Sequence, residues 1–114
     1  LSESWMRGVK SGIKPKKMLE ISDKCASGGY TSTRYGPNMI NGDYDPSFFV
    51  GLSMKDLNLA NEIIKIQKLK LPIMNLTSKI YNKAIKKYGP NTNHLKLIKL
   101  LEQNNKLTFS KEGR

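Results

Sequence analysis

The adjacent pair Lys55-Asp56 has the most to offer chemically in this sequence. On a helix, neighbouring residues point about 100° apart, so this ammonium and carboxylate would serve different surroundings. Counted in helical steps, Asp56 falls with Leu52, Leu59, Ala60 and Ile63 on an apolar flank. An ionised carboxylate buried there is costly unless a donor meets it, so the spacing predicts a buried Asp56 with a specific partner. Lys55 falls instead on a polar stripe with Gly51, Asn58, Glu62 and Lys65. The missing side chain of Gly51 would let another group approach closely, but periodicity alone does not choose a ligand and favours solvent on the stripe.

Other reactive residue types are weaker candidates. The run Asn41-Gly42-Asp43-Tyr44-Asp45-Pro46 holds two carboxylates, but it lacks the alternating oxygen ligands and closing Glu of a helix-loop-helix calcium site. It reads as a turn. His94 has no Ser, Cys or Asp arranged nearby as in a catalytic relay, and reads as a capping or surface residue. Cys25 reads as a small core residue near a helix end. Ser27-Gly28-Gly29 is too short for a phosphate cradle, because the dinucleotide fingerprint needs more glycines and a preceding strand. A single Cys and a single His exclude the soft-ligand metal cages.

These residues must be positioned by helices, since no useful length of sequence alternates apolar and polar with period two. Trp5, Met6 and Val9 predict a helix over Ser2 to Lys10, stopped at Ser11-Gly12. Pro15 suits the first turn of a second helix ending near Ala26, with Met18, Leu19 and Ile21 or Ser22 inward. A short helix follows from Tyr30 to Met39, closed by Pro37. The segment from Phe48 to Leu69 predicts one long central helix, with Phe49, Leu52, Leu59, Ile63 and Ile66 on one flank and Val50, Met54, Leu57 and Ile64 on the other. Leu71-Pro72 breaks the chain, and Ile73 to Tyr88 resumes as an amphipathic helix. After Gly89-Pro90, Thr92 or Asn93 can cap a last helix carrying Leu95, Ile98 and Leu101, and the tail beyond Gln103 frays.

The expected fold is therefore all-α, a bundle of about six helices in one domain over residues 1–114. The formal charge of +11 raises the prospect of a phosphate-rich partner. Yet the lysines are spread along the chain without clustered Arg or stacking aromatics, so a nucleic-acid footprint is not what they draw. No apolar run approaches bilayer length and no cleavable leader opens the sequence, which predicts a cytoplasmic protein without membrane contact. The residues alone leave a basic helical module for nucleic-acid binding or assembly as the alternative to an enzyme part.

From Gly36-Pro37 through Gly42-Asp43-Tyr44-Asp45-Pro46 and Phe48 to Leu52, Lys55-Asp56-Leu57 and Leu59-Ala60, order and spacing resemble the C-terminal domain of the 3-hydroxyisobutyrate dehydrogenase (β-hydroxyacid dehydrogenase) family, whose fold is 6-phosphogluconate dehydrogenase-like. The resemblance extends through Leu71-Pro72-Ile73, Ile80-Tyr81 and Leu97-Ile98-Lys99-Leu100-Leu101-Glu102, and Tyr30 stands where relatives often carry Trp. It implies hydride transfer between NAD or NADP and a small 3-hydroxy acid, with the Rossmann domain and the catalytic lysine both upstream of Leu1. By the same resemblance Lys55 contacts the cofactor, Phe48 lines the active-site side, and Asp56 is a structural anchor. The 114 residues alone are then expected to be inactive, to lack the N-terminal Rossmann domain, and to pair as a homodimer.

Overall fold

The computed structural model describes residues 1–45 and 47–109. Six α-helices run in the order α1 (Ser2–Lys10), α2 (Pro15–Lys24), α3 (Tyr30–Asn41), α4 (Val50–Ile66), α5 (Pro72–Tyr88) and α6 (Ile98–Asn105), with a 3-10 turn at His94–Leu97. Among the described residues no strand forms, and one isolated bridge joins Phe49 and Asn93. The all-α expectation holds. The described residues divide into two compact units: residues 1–44 with 98–109, and the residues between them.

In the first unit, α1, α2, α3 and α6 surround Trp5, which is 1% exposed. Its indole Nε1–H donates to Ser22 Oγ at 2.8 Å, which explains why Ser22 is buried while Ile21 is exposed. Gly36 is required here, because a Cβ would lie 2.8 Å from both the Trp5 ring and Leu19 Cδ1. The α3 helix does not close at Pro37 but continues to Asn41 and ends at Gly42, whose φ of +73° favours glycine. Thr33, whose carbonyl loses its helical donor to the proline, is exposed. The tail does not fray at Gln103. Phe109 is fully buried and stacks on Trp5 at 5.8 Å between ring centroids, and its backbone N–H donates to Glu102 Oε1 at 2.6 Å. Residues 110–114 lie outside the described residues.

In the second unit, α4 packs against α5. The long helix is shorter than expected at both ends: Phe49 is its N-cap, and Lys68 turns into the left-handed region at φ 55° just beyond Gln67. Val50 and Met54 are buried and Leu57 and Ile64 half-buried, so this flank makes the unit's core. The register against α5 is pinned by Asn61 Nδ2, which donates to Ser78 Oγ at 2.7 Å. Tyr81 is half-buried beside Ser53; burial lifts its phenol above the ordinary value and the Ser53 hydroxyl pulls it partly back. The other flank is open. Leu52, Leu59, Ile63 and Ile66 are exposed, joined by Leu69, Leu71, Ile73 and Leu76 around the hairpin tip, so within its unit α4 is covered on one side only.

Candidate functional site

The first N–H groups of a helix have no intrahelical acceptor, and the N-cap Phe49 offers no side-chain bond. The segment after α5 supplies what is missing. Val50 N–H donates to Thr92 O at 2.8 Å and Gly51 N–H to Pro90 O at 2.9 Å, while His94 N–H donates to Phe48 O at 3.0 Å. Gly51 is therefore not an opening for a ligand, contrary to the expectation from its missing side chain. A Cβ there would stand 3.0 Å from Pro90 O, so the close neighbour is the chain's own backbone.

Asn93 locks this arrangement. It is 1% exposed, its Oδ1 accepts from Leu95 N–H at 2.8 Å, and its Nδ2 donates to the Asp45 carbonyl. His94 stands next to it, half-buried rather than at the surface. Its Nδ1 lies 3.2 Å from Phe48 O, and the two rings meet in a T-shape at 5.2 Å and 85°. Burial lowers the imidazole pKa below the ordinary 6.5, partly offset by the bond to the Phe48 carbonyl. Phe48, itself 38% exposed, is thus held at the entrance to α4.

Lys55 lies one turn beyond Gly51, exposed, with no ion pair among the described residues. A free ammonium on a helix face fits a phosphate or ribose of a dinucleotide in its chemistry. Lys65 on the same helix is exposed as well, and among the described residues no strand and glycine-rich turn cradles a pyrophosphate. Asp56 corrects the sequence reading: it is exposed, because the flank it shares with Leu52, Leu59 and Ile63 is uncovered within the unit. The buried carboxylate is Glu102, 7% exposed, which accepts from Phe109 N–H and pairs with Lys99 at 2.9 Å. Cys25 is exposed rather than in the core. Gly28 is a packing glycine, since a Cβ would lie 2.6 Å from Ser22 O. A cavity of about 410 Å³ lies along Glu3, Met6, Arg7 and Lys10 of α1 and Leu101 and Asn105 of α6, and includes none of Phe48, Lys55 or Asp56. Among the described residues no three His, Cys, Asp or Glu side chains gather as metal ligands, and no helix is long and apolar enough to cross a membrane.

Sequence reasoning offered Asn93 as a cap, which its bond from Leu95 N–H bears out, but it missed the contact of His94 with Phe48. The signal available was a polar pair flanked by turn residues and followed by an apolar run, which also describes an ordinary cap.

The geometry gives an all-helical chain with an exposed lysine near the start of α4, and comparison with known proteins places it in a family. Residues 1–101 match the family described as NAD-binding of NADP-dependent 3-hydroxyisobutyrate dehydrogenase, and the chain belongs to that family. It is 30% identical over 106 residues to 2-hydroxy-3-oxopropionate reductase of Escherichia coli (strain K12), covering 90% of this chain and 35% of the relative. It is 25% identical over 100 residues to an uncharacterised oxidoreductase of Bacillus subtilis (strain 168), covering 88% of this chain and 35% of that protein. The crystal structure of 3-hydroxyisobutyrate dehydrogenase from Salmonella typhimurium superposes with a TM-score of 0.80 at 20% identity, over 87% of this chain and 35% of the other; it shares the fold. The chain thus spans about a third of the length of the relatives it matches. The family description attaches NAD binding to this helical region, whereas the resemblance read from sequence placed the cofactor-binding fold upstream.

Proposed function

We propose that this chain is the C-terminal helical domain of a cytoplasmic NAD- or NADP-dependent dehydrogenase acting on a small 3-hydroxy acid or the matching semialdehyde. A nucleotide-binding domain elsewhere in the polypeptide carries the catalytic lysine, and the 114 residues alone are inactive. The observation that carries the reading is the family match over residues 1–101, with Lys55 exposed on α4 and in no ion pair among the described residues. The nicotinamide cofactor supplies the hydride chemistry. Lys55 offers its ammonium to a phosphate or ribose oxygen, Phe48 lines the substrate side, and Asp56 anchors α4 where its open flank is covered in the assembled protein. That open flank, with Leu52, Leu59, Ile63 and Ile66 exposed on one helix, supports a homodimer, because exposed apolar patches mark association surfaces. The activity of the Escherichia coli relative toward 2-hydroxy-3-oxopropionate makes that compound the first substrate to try.

The test is Lys55→Met in the complete dehydrogenase. Loss of a charge-assisted contact raises KM for the cofactor by roughly tenfold or more, with kcat changed less. An unchanged cofactor KM removes Lys55 from the site, and an inactive wild-type chain on all small hydroxy acids removes the substrate class.

A further inference from the structure

We infer that His94 is a positioning residue for Phe48, holding the Phe48 carbonyl through its imidazole Nδ1–H and the phenyl ring through the T-shaped contact. The inference rests on the proposed reading that Phe48 lines the substrate side.

The carbonyl of Phe48 can only accept, so the imidazole nitrogen 3.2 Å away must carry the proton, which sets the tautomer. The same oxygen accepts the His94 backbone N–H at 3.0 Å, and its two lone pairs accommodate both donors. Phe48 precedes the N-cap of α4, so neither the helix ladder nor a core position fixes its side chain. The imidazole, 5.2 Å away between ring centroids, is the partner that restricts it. His94 is in turn held by Asn93, whose amide spans from the Asp45 carbonyl to Leu95 N–H. The contribution of the ring is separable from that of the backbone, because any residue but proline at this position retains the amide that pairs with Phe48. A substitution at His94 therefore leaves the backbone latch between residues 48–51 and 90–94 in place and removes only the two contacts of the imidazole with Phe48.

The experiment measures KM and kcat for the hydroxy acid in the complete dehydrogenase with Phe48→Leu, His94→Leu, the double variant and His94→Asn. The Asn amide places an N–H where Nδ1–H stands. Each single Leu variant is expected to raise KM by roughly five- to tenfold with kcat nearly unchanged. The double variant is expected to be no worse than either, the mark of two residues acting as one, and His94→Asn, which restores the donor but not the ring, to recover only part of the loss. If Phe48→Leu raises KM and His94→Leu does not, or if the two losses multiply, the inference fails while the role of Phe48 stands. If Phe48→Leu leaves KM unchanged, the reading of Phe48 fails and takes the inference with it. Nitrogen NMR of the 114-residue chain gives a check independent of catalysis: His94 is expected as the Nδ1–H tautomer, and an Nε2–H tautomer overturns the contact.

Discussion

Trp5 and Phe109 are at most 1% exposed and Glu102 is 7% exposed in the first unit, whereas Ile63, Ile66, Ile73 and Leu76 in the second are 55–79% exposed. Both units are helical and both draw on amphipathic sequence, yet among the described residues only the first has fully buried aromatic side chains, Trp5 and Phe109. The difference lies in the number of walls. Four helices can surround an indole, but two can bury only the faces they turn to each other. The carboxylates follow the same division. Glu102 sits where a backbone amide and Lys99 meet it, and Asp56 sits on a flank that nothing in its own unit covers.

The sharpest way to break this comparison is Trp5→Ala. Removing a fully packed indole costs about 3–5 kcal/mol, and urea unfolding followed by circular dichroism measures it. Hydrogen exchange then shows whether α1–α3 and α6 lose protection while α4 and α5 keep theirs. Equal loss everywhere means that the units unfold together. Next is the carboxylate pair. Glu102→Ala leaves the buried Phe109 N–H without its acceptor and is expected to cost about 1–3 kcal/mol, while Asp56→Ala stays within about 0.5 kcal/mol in the same urea titration.

Acidification should produce a smaller effect on the second unit. The folded His94 pKa lies below its ordinary 6.5, so the unfolded chain takes up its proton first. Stability tied to the neutral ring is complete above about pH 6.5 and is lost as pH falls below that value, levelling off below the folded pKa. Thermal melts from about pH 7.5 to about pH 5 should show this decline in the native chain, flattened in His94→Asn. The smallest effect on stability belongs to Ile66→Lys, within about 0.5 kcal/mol because the side chain is 79% exposed. Its effect should appear in self-association. Two chains of formal charge +11 repel each other, so pairing through an apolar face tightens with added salt. Sedimentation should show the native dimer strengthening with salt and the variant remaining monomeric. A native monomer at every salt concentration sinks the homodimer proposal.

Much of this was legible in local patterning. The starts and stops of α1, α2 and α5 follow glycine, proline and apolar periodicity closely, because those signals act over one or two turns. The α3 helix runs past Pro37 because an interior proline costs only what its surroundings fail to offset. Asp56 was expected to be buried and is exposed, whereas the buried carboxylate, Glu102, was not singled out from the sequence. Helical periodicity tells which residues share a flank, not whether another element covers it.

The order of residues alone determined an all-helical fold, the polar stripe that presents Lys55 and the apolar flanks of α4, since each follows from the 3.6-residue period. Tertiary structure alone decided that Gly51 meets Pro90, that Phe109 caps the Trp5 core, that His94 holds Phe48, and that one flank of α4 is left open. Each of these joins residues about 39 to 104 positions apart or depends on their absence, and periodicity carries no information over such distances.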